Sequence, residues 1–235
     1  MATARVANDA YYTDPKLALA ICRRVHPLLA ADNQPRILEP SAGAGAFCMA
    51  ARQVWGPEAN LTAVEPYLPT TKQECNCVPW TQWMRNSASP EHEADCASRL
   101  WKPATPKQTQ RFLKRWNVNH LVVQTIEDWS KKPGISDTEF DITIGNPPYN
   151  DAEEHLALVR PISNYVVFLL RLTFLGSQGR AERLYNKPGL RYLMSVAERP
   201  SFVEGKTDNS EYGVFVWQRF YQGKAEILPP LWVNV

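Results

Sequence analysis

The sequence from Phe140 to Tyr149 reads Phe-Asp-Ile-Thr-Ile-Gly-Asn-Pro-Pro-Tyr, and the fold can be predicted outward from it. Ile142 and Ile144 alternate with polar residues and stop at a glycine, a pattern typical of a buried strand. Pro147 and Pro148 donate no backbone hydrogen bond and have a fixed φ, so the chain here neither continues the strand nor starts a helix at once. The stretch predicts a strand whose carboxyl end opens into a rigid turn.

The turn after this strand holds two hydrogen-bond acceptors beside an aromatic ring. Asn146 supplies a side-chain oxygen, Pro147 supplies a carbonyl outside the sheet, and Tyr149 supplies the ring. A planar amino group on a ring system would fit such a site, because its two N–H groups could meet two acceptors while the ring stacks. The same residues are common turn formers, so a turn that only ends the strand is the alternative interpretation.

Two strands earlier in the chain predict a nucleotide-type pocket. Arg36–Glu39 leads into a turn of small residues and a helix that runs to about Val54, an arrangement in which backbone and a helix N-terminus can approach a ligand closely. The next strand, Leu61–Glu65, ends in an acid 20 residues after Gly45. In doubly wound sheets, a carboxylate at this position accepts both hydroxyls of a ribose. For the glycine turn alone, an ordinary tight turn is the alternative.

Length, charge and cysteine content limit the class of protein. A chain of 235 residues can bury a full core, and one α/β domain with an insertion is favoured over two domains. The 26 basic and 24 acidic side chains give a net charge of only +2, so a nucleic-acid partner would require a local basic patch. Five cysteines without a signal peptide indicate a reducing cytoplasm. The longest apolar run, Tyr165–Leu170, is too short to span a bilayer.

The segment between Glu65 and His120 is predicted to have structure of its own. Its 54 residues exceed what one connecting helix needs, and a loop of that length without structure is unusual in a compact domain. Its second part, Pro106–Trp116, combines four basic residues with an apolar face and predicts a basic helix. The basic face of that helix is either solvated or in contact with phosphates.

The first part of this segment contains four residues of types that bind zinc: Cys75, Cys77, His92 and Cys96. A Cys-x-Cys pair departs from the usual spacing of zinc ligands, and the cysteines of a cytoplasmic protein are normally free thiols. We therefore predict free thiols and no bound metal.

Together these residues resemble a known family. Asn146-Pro147-Pro148-Tyr149 resembles motif IV of the amino-methyltransferases, best known in N6-adenine DNA methyltransferases. Glu39–Phe47 and Glu65 resemble motifs I and II of class I S-adenosylmethionine-dependent methyltransferases. Tyr12-Thr13 resembles the cofactor motif that precedes motif I in one arrangement of adenine methyltransferases, although Asp14 departs from the proline that the family often has there.

The resemblance implies a role for each matching residue. Arg-Pro-Ser-Phe at 199–202 resembles the late motif of small phage and prophage enzymes, which would place Phe202 and Tyr149 on opposite faces of the target base. Asp128 falls where the family has an acid or amide that accepts from the cofactor adenine; it could equally be a solvated N-cap, and Glu127 is the second candidate. The catalytic residues implied are Asn146, Pro147, Pro148 and Tyr149. The cofactor-binding residues implied are Tyr12, Thr13, Glu39, Ser41, Gly43, Gly45, Phe47, Glu65, Asp128 and Asn146.

From the same resemblance we expect a single methyltransferase domain over residues 1–235, with the insertion at about 69–119. The fold class is α/β: a Rossmann-like class I methyltransferase fold with a seven-stranded, mostly parallel sheet, one antiparallel strand and helices on both faces. The first and fourth strands are neighbours in such a sheet, so cofactor and substrate amino group would meet. The alternating strand Tyr212–Trp217 is expected at or near an edge.

The expected function is transfer of a methyl group from S-adenosylmethionine to the N6 amino group of adenine in DNA, with the base flipped out of the duplex. RNA could replace DNA, because the base pocket is shared. Glutamine methyltransferases that act on release factors use a similar turn, but their additional N-terminal helical domain has no room before Glu39. A catalytically silent nucleic-acid-binding subunit would show decay in the glycine turn or at Asn146, and both are intact.

The resemblance also implies partners and a location. The chain shows no large segment for target recognition, so bases would be recognised by the insertion, by the 203–211 loop or by a protein partner. We expect a bacterial or phage-encoded cytoplasmic enzyme that binds DNA and does not contact membranes.

Overall fold

The computed structural model of the protein describes residues 13–66, 106–132, 140–185, 189–198, 200 and 210–233. In this part of the chain the α-helices are α1 (Pro15–Val25), α2 (Ala46–Trp55), α3 (Pro106–Trp116), α4 (Ile126–Ser130), α5 (Ala152–Val159) and α6 (Gln178–Arg180). The strands are β1 (Arg36–Glu39), β2 (Asn60–Val64), β3 (His120–Val122), β4 (Phe140–Gly145), β5 (Ser163–Arg171), β6 (Leu190–Ser195), β7 (Tyr212–Gln218) and β8 (Glu226–Ile227). Short 3-10 turns cover His26–Leu28, Arg160–Ile162 and Leu172–Leu175, and a π-helical turn covers Ala181–Tyr185.

The strands form one mixed sheet in the order β3-β2-β1-β4-β5-β7-β6-β8. Every described pair is parallel except the two that β7 makes, with β5 and with β6. The predicted mostly parallel α/β sheet with one antiparallel strand is therefore confirmed. β1 pairs directly with β4, Ile37 opposite Ile142 and Leu38 opposite Thr143, which confirms the predicted neighbours.

Two details of the sheet differ from the prediction. The described sheet has eight strands and not seven, because Glu226–Ile227 adds a short parallel strand beside β6. Both residues of β8 are exposed, so no burial pattern marks this strand in the sequence. The strand beginning at Tyr212 is also not at an edge: β7 lies between β5 and β6 and is buried along Tyr212–Trp217. Its side chains are apolar on both faces, as an interior strand requires.

Side chains alternate along the strands and divide the interior into two cores, one on each face of the sheet. Ile37 and Ile142 belong to the core that α1, α2 and α3 cover. Leu38 belongs to the core that α5 covers. The prediction of helices on both faces is therefore confirmed.

The predicted basic helix Pro106–Trp116 is confirmed as α3, and its carboxyl end is firmly attached. Arg52, on α2, donates hydrogen bonds to the carbonyl of Asn117 at 2.6 Å and to Oδ1 of Asn119 at 3.0 Å. Oδ1 of Asn119 also accepts from the N–H of Leu61 at 2.8 Å. The guanidinium of Arg52 therefore joins the end of α3 to α2 and β2.

Several predicted residues lie outside the described part of the chain: Tyr12, Cys75, Cys77, His92, Cys96 and Phe202. The same is true of residues 67–105, which make up most of the expected insertion. Within the described ranges, no group of three or more His, Cys, Asp or Glu residues is placed to hold a metal. No helix in those ranges has the length and hydropathy that crossing a membrane requires.

Candidate active site

The carboxyl ends of β1, β2 and β4 lie at one edge of the sheet, because these strands are parallel neighbours. β1 ends at Glu39, and Glu65 follows β2 directly. β4 ends at Gly145, and Asn146 comes next. The structure therefore brings the two acids and the Asn146 turn, predicted as parts of one site, to the same edge.

Glu39 and Gly145 are in contact across the β1–β4 boundary. A Cβ atom on Gly145 would lie 2.4 Å from Oε1 of Glu39, closer than non-bonded atoms approach each other. The same oxygen accepts a hydrogen bond from the N–H of Ser41 at 3.1 Å. Because Asn146 follows Gly145, the glycine loop (residues 40–45) and the Asn146 turn share a wall.

The glycine loop contains two residues with positive φ, Gly43 at 50° and Gly45 at 83°. The N–H of Gly43 donates to Oε2 of Glu65 at 2.7 Å, and the N–H of Ala42 donates to the carbonyl of Val64 at 2.9 Å. Both bonds hold the loop over the end of β2. The acid predicted to bind a ribose therefore also shapes the loop.

Two aromatic side chains lie in the core beneath the loop. A Cβ atom on Gly45 would lie 2.3 Å from Nε1 of Trp116, and that tryptophan, the last residue of α3, has no exposed surface. Phe47, in the first turn of α2, is buried in the same core. The structure thus places Phe47, a predicted cofactor-binding residue, among the residues that pack under the loop.

Asn146 is held by the segment that precedes α1. Its Nδ2 donates to Oγ1 of Thr13 at 3.0 Å. This bond orients the amide with its nitrogen toward Thr13, which leaves Oδ1 as the acceptor. Pro147 is buried, and the carbonyl of Pro148 accepts from the N–H of Asp151 at 3.1 Å, so the turn leads directly into α5.

Tyr149 is fixed by two neighbours from β5 and β7. The guanidinium carbon of Arg171 lies 4.9 Å from the centre of its ring, and the ring of Tyr212 lies at 5.7 Å. Nε of Arg171 also donates to the hydroxyl of Tyr212 at 3.3 Å. Burial, followed by the nearby Tyr212, raises the pKa of Tyr149 well above its usual value, so its phenol is neutral. Arg171 therefore covers one face of the Tyr149 ring.

The acids predicted on the adenine side of the pocket lie in the first turn of α4. Asp128 is exposed, and its N–H donates to Oγ1 of Thr125, the N-cap residue. Oε1 of Glu127 lies 3.6 Å from Nδ1 of His155, a buried residue of α5. The structure therefore directs Glu127 toward α5 and leaves Asp128 at the surface.

Beneath the glycine loop, Nε1 of Trp116 is buried without a hydrogen-bond partner among the described residues. Oγ of Ser41 and Oε1 of Gln124 are two further buried polar atoms of this kind near the edge of the sheet. Buried polar atoms normally have a partner, so both are candidates for ligand contacts. Ser41 was among the predicted residues, whereas Gln124 was missed. Its signal in the sequence is its position two residues after β3, whereas the residue that the resemblance implied for this role was Asp128.

The carboxyl group of Glu39 lies in an unusual electrostatic environment. Only 1% of this residue is exposed, and burial raises its pKa well above the usual value. The N–H of Ser41 opposes that shift, and the negative charge of Glu65 adds to it. A charged Glu39 therefore reduces the stability of the fold.

Replacing Glu39 with glutamine is expected to remove a pH-dependent part of the stability. Because the folded-state pKa lies above the unfolded value of 4.5, the folded chain binds more protons, and the free energy of unfolding falls as the pH rises from 4.5 toward the folded-state pKa. The slope is at most about 1.4 kcal/mol per pH unit. Glutamine keeps the acceptor for Ser41 and carries no charge, so the variant should lack this slope.

Urea denaturation between about pH 5 and pH 8 measures the difference between the two proteins. Glu58→Gln, which removes an exposed acid, is the control. If the wild type and Glu39→Gln lost stability in parallel, the assigned environment of Glu39 would be wrong.

No family model matches the sequence. No curated protein matches it either. The fold, in contrast, matches solved structures. A candidate RNA methyltransferase from Pyrococcus horikoshii superposes with a TM-score of 0.56 and 12% identity, over 92% of this chain and 91% of that one. A candidate class I S-adenosylmethionine-dependent methyltransferase from Listeria monocytogenes superposes with a TM-score of 0.56 and 9% identity, over 97% of this chain and 68% of that one.

A third match is the methyltransferase subunit of a type I restriction-modification system from Streptococcus thermophilus, with a TM-score of 0.55 and 12% identity over 93% of this chain. This chain spans about half, 47%, of that subunit. At such low identities the three matches establish the architecture. The chain has the Rossmann-like fold of class I methyltransferases.

Proposed function

We propose that this chain transfers the methyl group of S-adenosylmethionine to the N6 amino group of adenine in DNA. The observation that supports this most is the wall shared by the glycine loop and the Asn146 turn, where Gly145 lies against the carboxyl group of Glu39. A cofactor on the loop and an amino group held at Asn146 would be adjacent. We further propose that residues 1–235 are one methyltransferase domain with an insertion at about 69–119.

The residues at this edge fit a nucleoside cofactor. Glu65 lies where a carboxylate can accept ribose hydroxyls, and Gly43 lets the backbone approach the ligand. Ser41 and Gln124 offer buried polar atoms that have no partner among the described residues. We assign the adenine side of the pocket to Gln124, whose amide can both accept and donate, and keep Asp128 as the second candidate.

When bound, S-adenosylmethionine supplies a methyl group on a sulfonium, which needs no further activation. The chain must improve the nucleophile, since the lone pair of an adenine amino nitrogen is delocalised into the ring. Oδ1 of Asn146 and the carbonyl of Pro147 would accept its two hydrogens and favour a pyramidal nitrogen. Fixed dipoles and positioning then lower the barrier, and no general base is required before transfer. The methylated nitrogen would lose its extra proton to solvent afterwards, and S-adenosylhomocysteine would be released.

The target base would have to leave the duplex to reach Asn146. Tyr149 would stack on it with the ring face opposite Arg171. We propose that Phe202, outside the described residues, covers the second face. Recognition of the surrounding bases is assigned to the insertion, the 203–211 loop or a protein partner.

Replacing Glu65 with alanine is expected to weaken binding of S-adenosylmethionine by about 1.5–3 kcal/mol, or about 10- to 160-fold in Kd, because charge-assisted hydrogen bonds to the ribose are lost. The alanine also removes the acceptor for the N–H of Gly43. Glu65→Gln keeps one acceptor oxygen and should show a smaller loss. Isothermal titration calorimetry measures the Kd of both variants. An unchanged Kd for Glu65→Ala would show that Glu65 does not bind the ribose.

The function is tested by incubating the protein with labelled S-adenosylmethionine and, separately, unmethylated DNA, RNA or a protein extract. Label recovered as N6-methyladenine from DNA is the expected result. If N6-methyladenine were recovered from RNA only, the substrate would be RNA and not DNA. If methylated glutamine were recovered from protein, the substrate would be a protein. Cofactor binding without transfer to any of the three would indicate a silent subunit.

A further inference from the structure

The exposed face of α3 carries four basic side chains in one line. Lys107, Arg111, Lys114 and Arg115, together the basic stripe, follow the spacing i, i+4, i+7 and i+8, which places them on one side of a helix. All four are exposed. Phe112 and Trp116 lie on the opposite side and are buried in the core.

This arrangement works against the stability of the helix itself. Lys107–Arg111 and Arg111–Arg115 are like-charge pairs at i, i+4, which repel each other. Lys107 lies in the first turn, where the helix dipole disfavours a positive charge, whereas Lys114 and Arg115 lie in the last turn, where it favours one. The helix contains no acid that could compensate the repulsion. In contrast, α5 has acids in its first turn, Glu153 and Glu154. Sequence features that oppose local stability are expected mainly at functional positions.

The charges on the stripe affect each other. Partial burial, followed by the positive charge of Arg111, lowers the pKa of Arg115. A solvated helix face usually mixes charges of both signs, so that neighbours compensate. Four cations without an acid on the same helix instead create a local positive potential, which the net charge of +2 does not show.

The direction of α3 brings one end of the stripe toward the candidate active site. The N–H of Asn119, just after α3, donates to the carbonyl of Leu61 near the start of β2, so α3 ends at the edge of the sheet opposite the site. An 11-residue helix is about 16 Å long, which directs its first turns toward the other edge. The side chain of Trp116 points the same way, since it reaches Gly45 in the glycine loop.

We infer that the basic stripe of α3 binds the phosphodiester backbone of the nucleic-acid substrate and holds the target strand beside the candidate active site. The inference rests on the proposed function and adds the surface that positions the substrate. Phosphate contacts of this kind carry no base specificity, so the stripe would set register and affinity and leave base recognition to other segments.

The test compares two quadruple variants that remove the same number of charges. The stripe variant is K107Q/R111Q/K114Q/R115Q, and the control is R23Q/K131Q/K132Q/K224Q, which changes exposed basic residues elsewhere. Fluorescence anisotropy without cofactor measures the Kd of each protein for a short DNA duplex and for an RNA hairpin. The measurement is repeated at salt concentrations from about 50 to about 200 mM. R111K/R115K keeps the charges and should bind as the wild type does.

The logarithm of the association constant falls as the logarithm of the salt concentration rises. We expect this negative slope to be smaller in magnitude by about 3 to 4 in the stripe variant, since each lost contact with B-DNA contributes about 0.9. The control should change it by less than about 1. Equal changes in both variants, an unchanged slope in the stripe variant, or no binding of either polynucleotide by the wild type would overturn the inference. The polynucleotide that the wild type binds with the lower Kd at the same salt concentration is the backbone that the stripe prefers.

Failure here is distinguishable from failure of the proposed function. N6-methyladenine produced by the wild type with excess substrate at low salt supports the function whatever the slopes are. Circular dichroism and cofactor affinity of the stripe variant, both expected to match the wild type, show that its fold is intact. If a stripe variant bound cofactor normally but kept the wild-type slope, α3 would not be part of the nucleic-acid interface. The proposed methyl transfer would not be affected by that result.

Discussion

Asn146→Ala is expected to abolish detectable methyl transfer while the affinity for S-adenosylmethionine is retained. The alanine removes the acceptor that would hold one amino hydrogen of the adenine, and losing one fixed group of this kind costs about 10²–10³-fold in rate. Loss of the second function of the amide, its bond to Thr13, should also loosen the segment before α1. Single-turnover transfer from labelled cofactor measures the rate, and calorimetry measures the affinity.

Two further variants separate the roles of the Asn146 amide. Asn146→Asp keeps acceptor oxygens and should retain more activity than alanine, and the hydroxyl of Thr13 can then donate to the carboxylate. Thr13→Val keeps Asn146 but removes the bond that orients it, so an intermediate rate is expected. If Asn146→Ala lost cofactor affinity as strongly as it lost rate, Asn146 would act mainly through the cofactor, and its proposed role at the adenine amino group would be wrong.

The features predicted correctly from the sequence are those with a local cause. β4 and its turn follow from alternating isoleucines and two prolines, and α1 follows from Asp14, whose Oδ1 accepts from the N–H of Lys16 at 2.6 Å, with Pro15 at the first helical position. The contact between β1 and β4 was also predicted, but from the fold class and not from spacing. Local chemistry therefore gave the elements, and the resemblance gave their order.

The features missed depend on contacts between distant parts of the chain. The alternation in β7 gives its two faces but does not show that β6 pairs with it on one side, so the strand was predicted at or near an edge, whereas it pairs on both sides. β8 forms only because β6 offers it a partner. Gln124 is recognisable as a candidate only once its Oε1 is known to be buried and without a partner among the described residues. Burial and strand order are properties of the packed molecule.

The contact between Gly45 and Trp116 also joins distant parts of the chain, and it leads to the second prediction with a large expected effect. Gly45→Ala is expected to destabilise the fold and weaken cofactor binding together. An alanine at φ +83° costs about 1–2 kcal/mol in any context. Its Cβ would also lie 2.3–2.5 Å from three atoms of the Trp116 indole, and overpacking of a buried site adds about 1–3 kcal/mol.

Gly56 provides a control for this substitution at a second glycine with positive φ. Its φ is +82°, nearly the same as that of Gly45, and an added Cβ would meet nothing within 4 Å. Gly56→Ala should therefore show only the backbone cost and leave cofactor affinity unchanged. Because ψ is 19° at Gly45 and 178° at Gly56, the backbone costs of the two alanines differ, so this comparison tests whether the loss of cofactor affinity is specific to Gly45. Urea denaturation measures the stability of both variants.

Relief of the contact is the stricter test, because a general weakness of the glycine loop would produce the same loss in Gly45→Ala. Trp116→Leu alone should destabilise the protein, since it leaves a cavity beside Gly45. In the double variant the new methyl group would occupy part of that cavity, so the combined loss should be smaller than the sum of the two single losses. Strict additivity would show that the indole does not limit position 45, whereas the expected coupling would establish that α3 supports the loop on which the cofactor is proposed to bind.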